Sequence, residues 1–158
     1  TLTPHYSAIK SKNLTVNELL TIASLVEKEG AKTEDRKLIA GVFYNRLNLG
    51  MPLQSNIAIL YAQGKLGQNI SLADDAGIDT SINSPYNVYT KSGLMPGPVD
   101  SPSQDAIEAS INQTKSENLY FVANVTDGKV YYAVTQEEHD RNVAEHVNSK
   151  LTQNSSSN

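Results

Sequence analysis

No stretch of this chain constrains its fold more than residues 15–30. Thr15-Val-Asn-Glu18 has capping-box spacing, in which a Thr oxygen and a Glu side chain satisfy orphan backbone amides, and it opens an apolar-rich run closed by Gly30. The spacing predicts a helix over 16–29. At about 100° per residue, Leu19, Leu20, Ile22, Ala23, Leu25 and Val26 cover a broad arc of that helix, with Thr21, Ser24 and Lys28 on the opposite face. Two carboxylates fall inside the apolar arc, Glu27 between Leu20 and Ala23, and Glu29 between Ile22 and Leu25. An ionised carboxylate among apolar neighbours is costly, so its pKa is expected to rise, as a general acid at neutral pH requires. The bland alternative is an edge glutamate paired with Arg36 or Arg46, and edge ion pairs far outnumber catalytic acids. The helical wheel does not choose between Glu27 and Glu29.

Further elements follow from caps and periodicity. Thr33 as N-cap, acidic Glu34 and Asp35 in the first turn, apolar Leu38, Ile39, Val42, Phe43 and Leu47, and Gly50 as a stop predict a second helix, forming an αα unit with the first. Ser55 and Gly64 bracket a short helix over 57–63. From 65 to 100 the chain is dense in Gly, Pro, Asn, Asp and Ser, with Tyr86, Tyr89, Leu94 and Met95 interspersed; so long an aperiodic stretch, with aromatics in it, points to a functional segment. Ser101-Pro102 reads as an N-cap with Pro at the first helical position, starting a helix to about 111. Residues 119–124 and 129–134 are β-branched and aromatic runs joined by Val125-Thr-Asp-Gly128, a hairpin signal. Thr135-Gln-Glu-Glu138 is a second capping-box spacing, opening a last helix to about 150. The fold class expected is α+β: a helix-rich single domain with a β-hairpin or small antiparallel sheet near its C-terminal end. Residues 1–12 show no period, and the Ser/Asn-rich 151–158 reads as a disordered tail.

Charge and cysteine usage narrow the function classes. With 158 residues, a net charge of −4 and no Lys/Arg cluster, the chain has the size of one domain and lacks the basic patch that nucleic acid or an anionic membrane surface demands. The absence of cysteine removes disulfides, thiolate metal sites and a Cys nucleophile together. His5, His139 and His146 form no ligand spacing with nearby acids, and His139 and His146, seven apart on the last helix, are expected to face solvent. No metal and no organic cofactor is expected.

The strings Ile22-Ala-Ser-Leu-Val-Glu-Lys-Glu29, Val42-Phe-Tyr-Asn-Arg-Leu47, Gly50-Met-Pro-Leu-Gln-Ser55, Ser84-Pro-Tyr-Asn-Val-Tyr89, Gly93-Leu-Met-Pro-Gly-Pro98 and Leu119-Tyr-Phe-Val-Ala123 carry more than periodicity. Over about 14–147, in order and spacing, they resemble the YceG-like (MltG) family of endolytic murein transglycosylases. The resemblance implies an α+β catalytic domain over 14–150, with 1–13 a linker from a preceding LysM-like subdomain absent from this sequence. It implies peptidoglycan glycan strands as substrate and cleavage between N-acetylmuramic acid and N-acetylglucosamine, yielding a 1,6-anhydromuramyl end and limiting nascent strand length. It places the full protein on the outer face of the bacterial cytoplasmic membrane, held by an anchor absent here, among cell-wall synthesis proteins. It also implies Glu27, the first Glu of Val-Glu-Lys-Glu, as the catalytic acid/base; Glu29, Asn45 and Arg46 are candidates for a supporting part. Two positions depart from the family pattern: Asn56-Ile57 stands where Asp-Pro is usual, and Lys129-Val-Tyr-Tyr132 where a His is often found.

Such a reaction needs one carboxyl group. The protonated acid donates to the leaving glycosidic oxygen, then takes the proton of the C6 hydroxyl as that oxygen attacks C1 intramolecularly, so water is not consumed. With Asn56 in place of an Asp, no second carboxylate is evident for hydrolysis, which requires two. Tyr61, Tyr86 and Tyr89 offer aromatic faces to sugar C–H patches, and Gln54, Ser55, Asn56 and Asn87 offer hydrogen bonds to hydroxyls; half-buried packing is the competing role for each tyrosine. A hydrolytic muramidase and a non-catalytic peptidoglycan-binding or divisome-interaction module are the alternatives to a lytic transglycosylase.

Overall fold

The fold is described from a computed structural model, covering residues 6–64, 78–124 and 127–148. The capping box forms as its spacing predicts: Thr15 Oγ1 accepts from Glu18 N at 3.1 Å and the Glu18 carboxylate accepts from Thr15 N at 3.0 Å. It starts α2 (Val16–Glu29), which follows the short α1 (Tyr6–Ser11) and ends at Gly30. Residues 6–11 are therefore helical despite their lack of period; Ile9, with Leu19 and Ile111, forms a small apolar cluster that anchors them. Thr21 and Ser24, on the face of α2 expected to be polar, are fully buried, while Lys28 of the same face is exposed. Thr21 donates to Asn17 O, and Ser24 donates to Thr21 O while accepting from Val99 N at 3.1 Å, so both hydroxyls are satisfied inside.

Helix α3 (Thr33–Asn48) begins one residue earlier than its cap pattern predicts. Thr33 lies within the helix, and its hydroxyl donates to Asp105 at 3.0 Å, a tertiary partner that displaces the local cap. At its other end Gly50 adopts φ 69°, as a helix stop requires, and Met51 N–H returns to Arg46 O at 2.9 Å. Helix α4 (Asn56–Ala62) follows Ser55 at once. Helix α5 (Gln104–Ile111) is capped by Ser103, not Ser101, its hydroxyl accepting from Ala106 N at 3.2 Å. Pro102 thus precedes the cap.

Helices α2, α3 and α5 pack on one another around a core of Ile22, Leu25, Val26, Ile39, Phe43, Val88, Met95 and Ala106. One close approach sets the path of the chain after α5: a Cβ at Gly41 would sit 2.7 Å from Thr114 O. The expected hairpin is present, β1 (Tyr120–Ala123) antiparallel to β2 (Val130–Ala133), with Tyr120 opposite Ala133 and Ala123 opposite Val130. It docks on α3 through Phe43 and Phe121, edge to face at 5.8 Å. Helix α6 (Gln136–Val143) lies against both strands and widens into a π-helical turn (Ala144–Asn148), where a single regular helix was expected. The α+β expectation holds.

Residues 78–103 carry no long regular element, yet they are tied down. Buried Asn87 donates to Thr80 O and Ile82 O at 3.2 and 2.8 Å, and its Oδ1 accepts from Tyr89 N and Thr90 N. Residues 65–77 of the aperiodic stretch, Val125 and Thr126 of the hairpin turn, and the tail at 151–158 lie outside the described residues. Among the described residues, no helix is long and apolar enough to cross a membrane.

Candidate active site

Two residues apart on a helix are about 200° apart around it, and the two glutamates of α2 go to different places. Glu27 points to the start of α5. Its Oε2 accepts from Ser103 N at 3.1 Å and Ser103 Oγ at 2.5 Å, and its Oε1 lies 3.5 Å from an Arg36 nitrogen. Arg36 also holds Asp105 at 2.7 Å and donates to Gly30 O, which ties the end of α2, the start of α3 and the start of α5 together. The expected rise in the Glu27 pKa is overturned. The Ser103 hydroxyl holds its carboxyl below the ordinary value; burial opposes this, and the Ser103 amide, Arg36 and Lys28 reinforce it. This is an ionised carboxylate seated on a helix N-terminus, the bland pairing with Arg36 that the sequence also allowed.

Glu29 instead enters a cavity of about 410 Å³, within the range of small-ligand sites. Seven segments wall it: Glu29 from α2, Phe43 and Arg46 from α3, Leu53 to Ser55 from the α3–α4 loop, Asn56, Ile57 and Leu60 from α4, Tyr89 from the loop before α5, Phe121 to Ala123 from β1, and His139 from α6. Ser55 Oγ donates to Glu29 Oε1 at 3.1 Å. Tyr89 donates its phenol proton to Asn56 Oδ1, joining two residues of the polar wall. Gln54 sits in the left-handed region, φ 55°, where a non-Gly residue costs on the order of 1 kcal/mol. Its backbone N–H donates to Val88 O at 3.0 Å and its side-chain oxygen faces Arg46 at 3.4 Å, so both neighbours hold it there.

Of the residues singled out by sequence, the cavity gathers Glu29, Arg46, Gln54, Ser55, Asn56 and Tyr89. Glu27 does not line it. Asn45 is spent on structure, donating to Ser116 O and Asn118 O at 2.9 Å. Asn87 is buried inside its own loop, and Tyr61 and Tyr86 pair with each other, ring centres 4.7 Å apart, away from the cavity walls. Arg46 donates to Leu119 O at 2.6 Å and Pro52 O at 2.8 Å, and its guanidinium lies 4.9 Å from the Tyr120 ring centre. It fastens the rim to the hairpin while its edge reaches the cavity.

His139 was missed. It does not face solvent but is half-buried, stacked on Tyr120 with ring centres 5.2 Å apart. Burial lowers its pKa, Arg46 adding to that and Asp140 opposing it. His146 is covered too, stacked on Tyr131 at 3.6 Å. Among the described side chains of the last helix, His139, Asn142, Val143 and His146 are the partly buried ones, at spacings of three, four and seven that a helical period would place on one face. Among the described residues, no three His, Asp or Glu side chains converge as a metal site would require.

The comparisons with known proteins agree with one another. The profile of the YceG-like family matches residues 2–145. The chain is 86% identical over 150 residues to the endolytic murein transglycosylase of Streptococcus pneumoniae serotype 2, covering 95% of this chain and 27% of that protein. It is 39% identical over 144 residues to the endolytic murein transglycosylase of Bacillus subtilis, covering 91% of this chain and 38% of the relative. The chain thus spans about a quarter to two fifths of the length of these relatives. The crystal structure of a yceG-like protein from Listeria monocytogenes superposes with a TM-score of 0.78 at 38% identity, over 89% of this chain and 44% of that one. From the ordered motifs, the shared fold and the profile match over most of its length, the chain belongs to the YceG-like family.

Proposed function

We propose that this chain carries the glycan-cleaving cleft of an endolytic murein transglycosylase, with two candidates for its acid/base at the end of α2: Glu27, which the family motif implies, and Glu29, which the cavity contains. The observation that carries this reading is the placement of Glu29 in a cavity whose other polar groups, Ser55, Asn56, Gln54 and Tyr89, suit sugar hydroxyls and an acetamido group, against apolar walls from Phe43, Leu60 and Phe121. The names of the relatives supply the substrate class. Glu29 is also the one carboxylate among the residues walling the cavity, with Asn56 amidic and Glu27 committed to Ser103 and Arg36. A single carboxyl group suits proton donation to the leaving oxygen followed by proton removal from the C6 hydroxyl; direct hydrolysis calls for two. With Glu29 as the acid, Ser55, donating to its Oε1, fixes the carboxyl plane for both steps. The product is accordingly a 1,6-anhydromuramyl end on a peptidoglycan strand, and cleavage within nascent strands limits their length. The remainder of the full protein supplies the membrane anchor on the outer face of the cytoplasmic membrane and the contacts to cell-wall synthesis proteins.

The test is product mass. Peptidoglycan digested with the wild-type protein yields anhydro ends, lighter by one water than reducing ends, and glutamine in place of the acid, Glu27→Gln or Glu29→Gln, yields neither. Reducing ends from the wild type make the protein a hydrolytic muramidase; glycan binding without cleavage makes it a recognition module. Anhydro ends that persist in Glu29→Gln but vanish in Glu27→Gln return the acid to Glu27, where the family motif first placed it.

A further inference from the structure

The segment leading into α5 is fastened along the last turns of α2. Val99 N donates to Ser24 Oγ at 3.1 Å, Ser103 donates to Glu27 through both its amide and its hydroxyl, and between these two ties Lys28 Nζ stands 3.7 Å from Asp100 Oδ2. Asp100 is an unusual acid. Its side chain is 18% exposed, and its Oδ1 is buried with no hydrogen-bond partner among the described residues. A bare carboxylate oxygen costs free energy that a neutral residue would not, so the acid is retained against the interest of stability. Burial raises the Asp100 pKa, Glu27 adds to the rise and Lys28 opposes it, so the two carboxyls lie close enough to act on each other. That influence is mutual: a charge on Asp100 disfavours a charge on Glu27 by the same free energy.

The other polar groups around Glu27 act the opposite way. The Ser103 hydroxyl and amide at the cap of α5, Arg36 of α3 and Lys28 of α2 all favour its ionised form, with burial opposing. Asp105, the acid in the first turn of α5, is taken up by Arg36 at 2.7 Å and Thr33 at 3.0 Å. A carboxyl that protonates a glycosidic oxygen must first hold a proton, which this surround withholds. We propose that Asp100 is the positioning residue that fits Glu27 for the acid's part: it engages the Lys28 ammonium and sets a second negative charge beside Glu27, so that the two carboxyls retain a proton between them. This rests on Glu27, the residue the family motif implies, as the acid. Asp100 itself touches no reacting atom.

The experiment follows Asp100→Asn, Lys28→Met and Glu27→Gln beside the wild type with two readouts: the titration of Glu27 by carbon-13 NMR of labelled glutamate carboxyls, and the pH profile of kcat/KM on peptidoglycan. Asparagine keeps the shape of Asp100 and removes its charge. Glu27 is then expected to release its proton at lower pH, and kcat/KM to fall about 3–10-fold on the alkaline side of the profile with no loss at its acid end. A Glu27 titration that stays in place or moves to higher pH overturns the proposal, as does a loss equal at every pH, which a merely structural role produces. Should Asp100→Asn fail to fold, Lys28→Met makes the test in the other direction: without the ammonium the carboxyls repel unopposed, and Glu27 is expected to hold its proton to higher pH; no movement, or movement to lower pH, overturns the proposal. If Glu27→Gln is inactive while Asp100→Asn matches the wild type at every pH, the role of Asp100 alone fails. If Glu27→Gln keeps wild-type activity, the acid lies elsewhere and the proposal falls with that reading, even where the titration moves.

Discussion

Replacing each glutamate of α2, at positions 18, 27 and 29, with glutamine affects stability at every one; Glu27 and Glu29 are then told apart by activity. In Glu27→Gln the Ser103 amide and hydroxyl keep an acceptor but lose the negative charge they donate to. Hydrogen bonds to charged groups contribute about 1.5–3 kcal/mol against about 1 for neutral ones. The Arg36 contact, at 3.5 Å with a quarter of the Glu27 side chain exposed, adds at most a fraction of a kcal/mol. The change should therefore destabilise the chain by roughly 1–2 kcal/mol, lowering the melting temperature by roughly 2–8 °C for a domain of this size. With Glu29 as the acid, activity at a temperature where the variant is folded should stay within about threefold of wild type; with Glu27 as the acid, it is lost. Glu29→Gln weakens the Ser55 bond and should lower the melting temperature by a similar few degrees, and with Glu29 as the acid it should reduce turnover by at least about 100-fold, the usual value of an acid/base group.

Acidity gives an internal control. Because the folded-state pKa of Glu27 lies below its ordinary value of 4.5, its stabilisation is complete above about pH 4.5 and is lost as pH falls through the depressed value. The gap in melting temperature between wild type and Glu27→Gln should narrow in that acid window. Circular dichroism melts and anhydro-product release, measured on the same preparations, provide both readouts. A folded but inactive Glu27→Gln beside an active Glu29→Gln would refute the assignment drawn from the cavity.

Other substitutions probe the scaffold. Gly41→Ala puts a methyl against Thr114 O, a backbone atom 2.7 Å from the new carbon, and should cost about 1–3 kcal/mol in denaturant titrations, although alanine is the better helix former. Asn87→Ala leaves two carbonyls and two amides of the loop at 78–90 without their partner; a loss of about 2–3 kcal/mol is expected, with a raised KM because Tyr89 is held by the same side chain.

The helices were legible because caps and apolar periodicity act locally: the Thr15 box, the Gly50 stop and the hairpin runs form where the residues alone place them. The errors came where a distant partner outbid a local one. Thr33 left its cap for Asp105, and Ser103 took the cap of α5 because Glu27 and Ala106 both use its hydroxyl. Glu27 and Glu29 look alike on a wheel, which records direction but not destination; Ser103, 76 residues on from Glu27, decides the difference. His139 was hidden for the same reason, since a helix following a hairpin can pack on it or stand clear.

The walls of the cavity are drawn from positions between 29 and 139, so no short segment holds all of it. A cleft assembled this way has no smaller working unit. Each long-range closure must be in place before Glu29, the polar wall and the covering strand face one another, and such non-local contacts form late. The protein should thus leave the folding pathway inactive until its last packing step. On the proposed function that delay protects the cell: a cleft that cuts glycan cannot do so while half made.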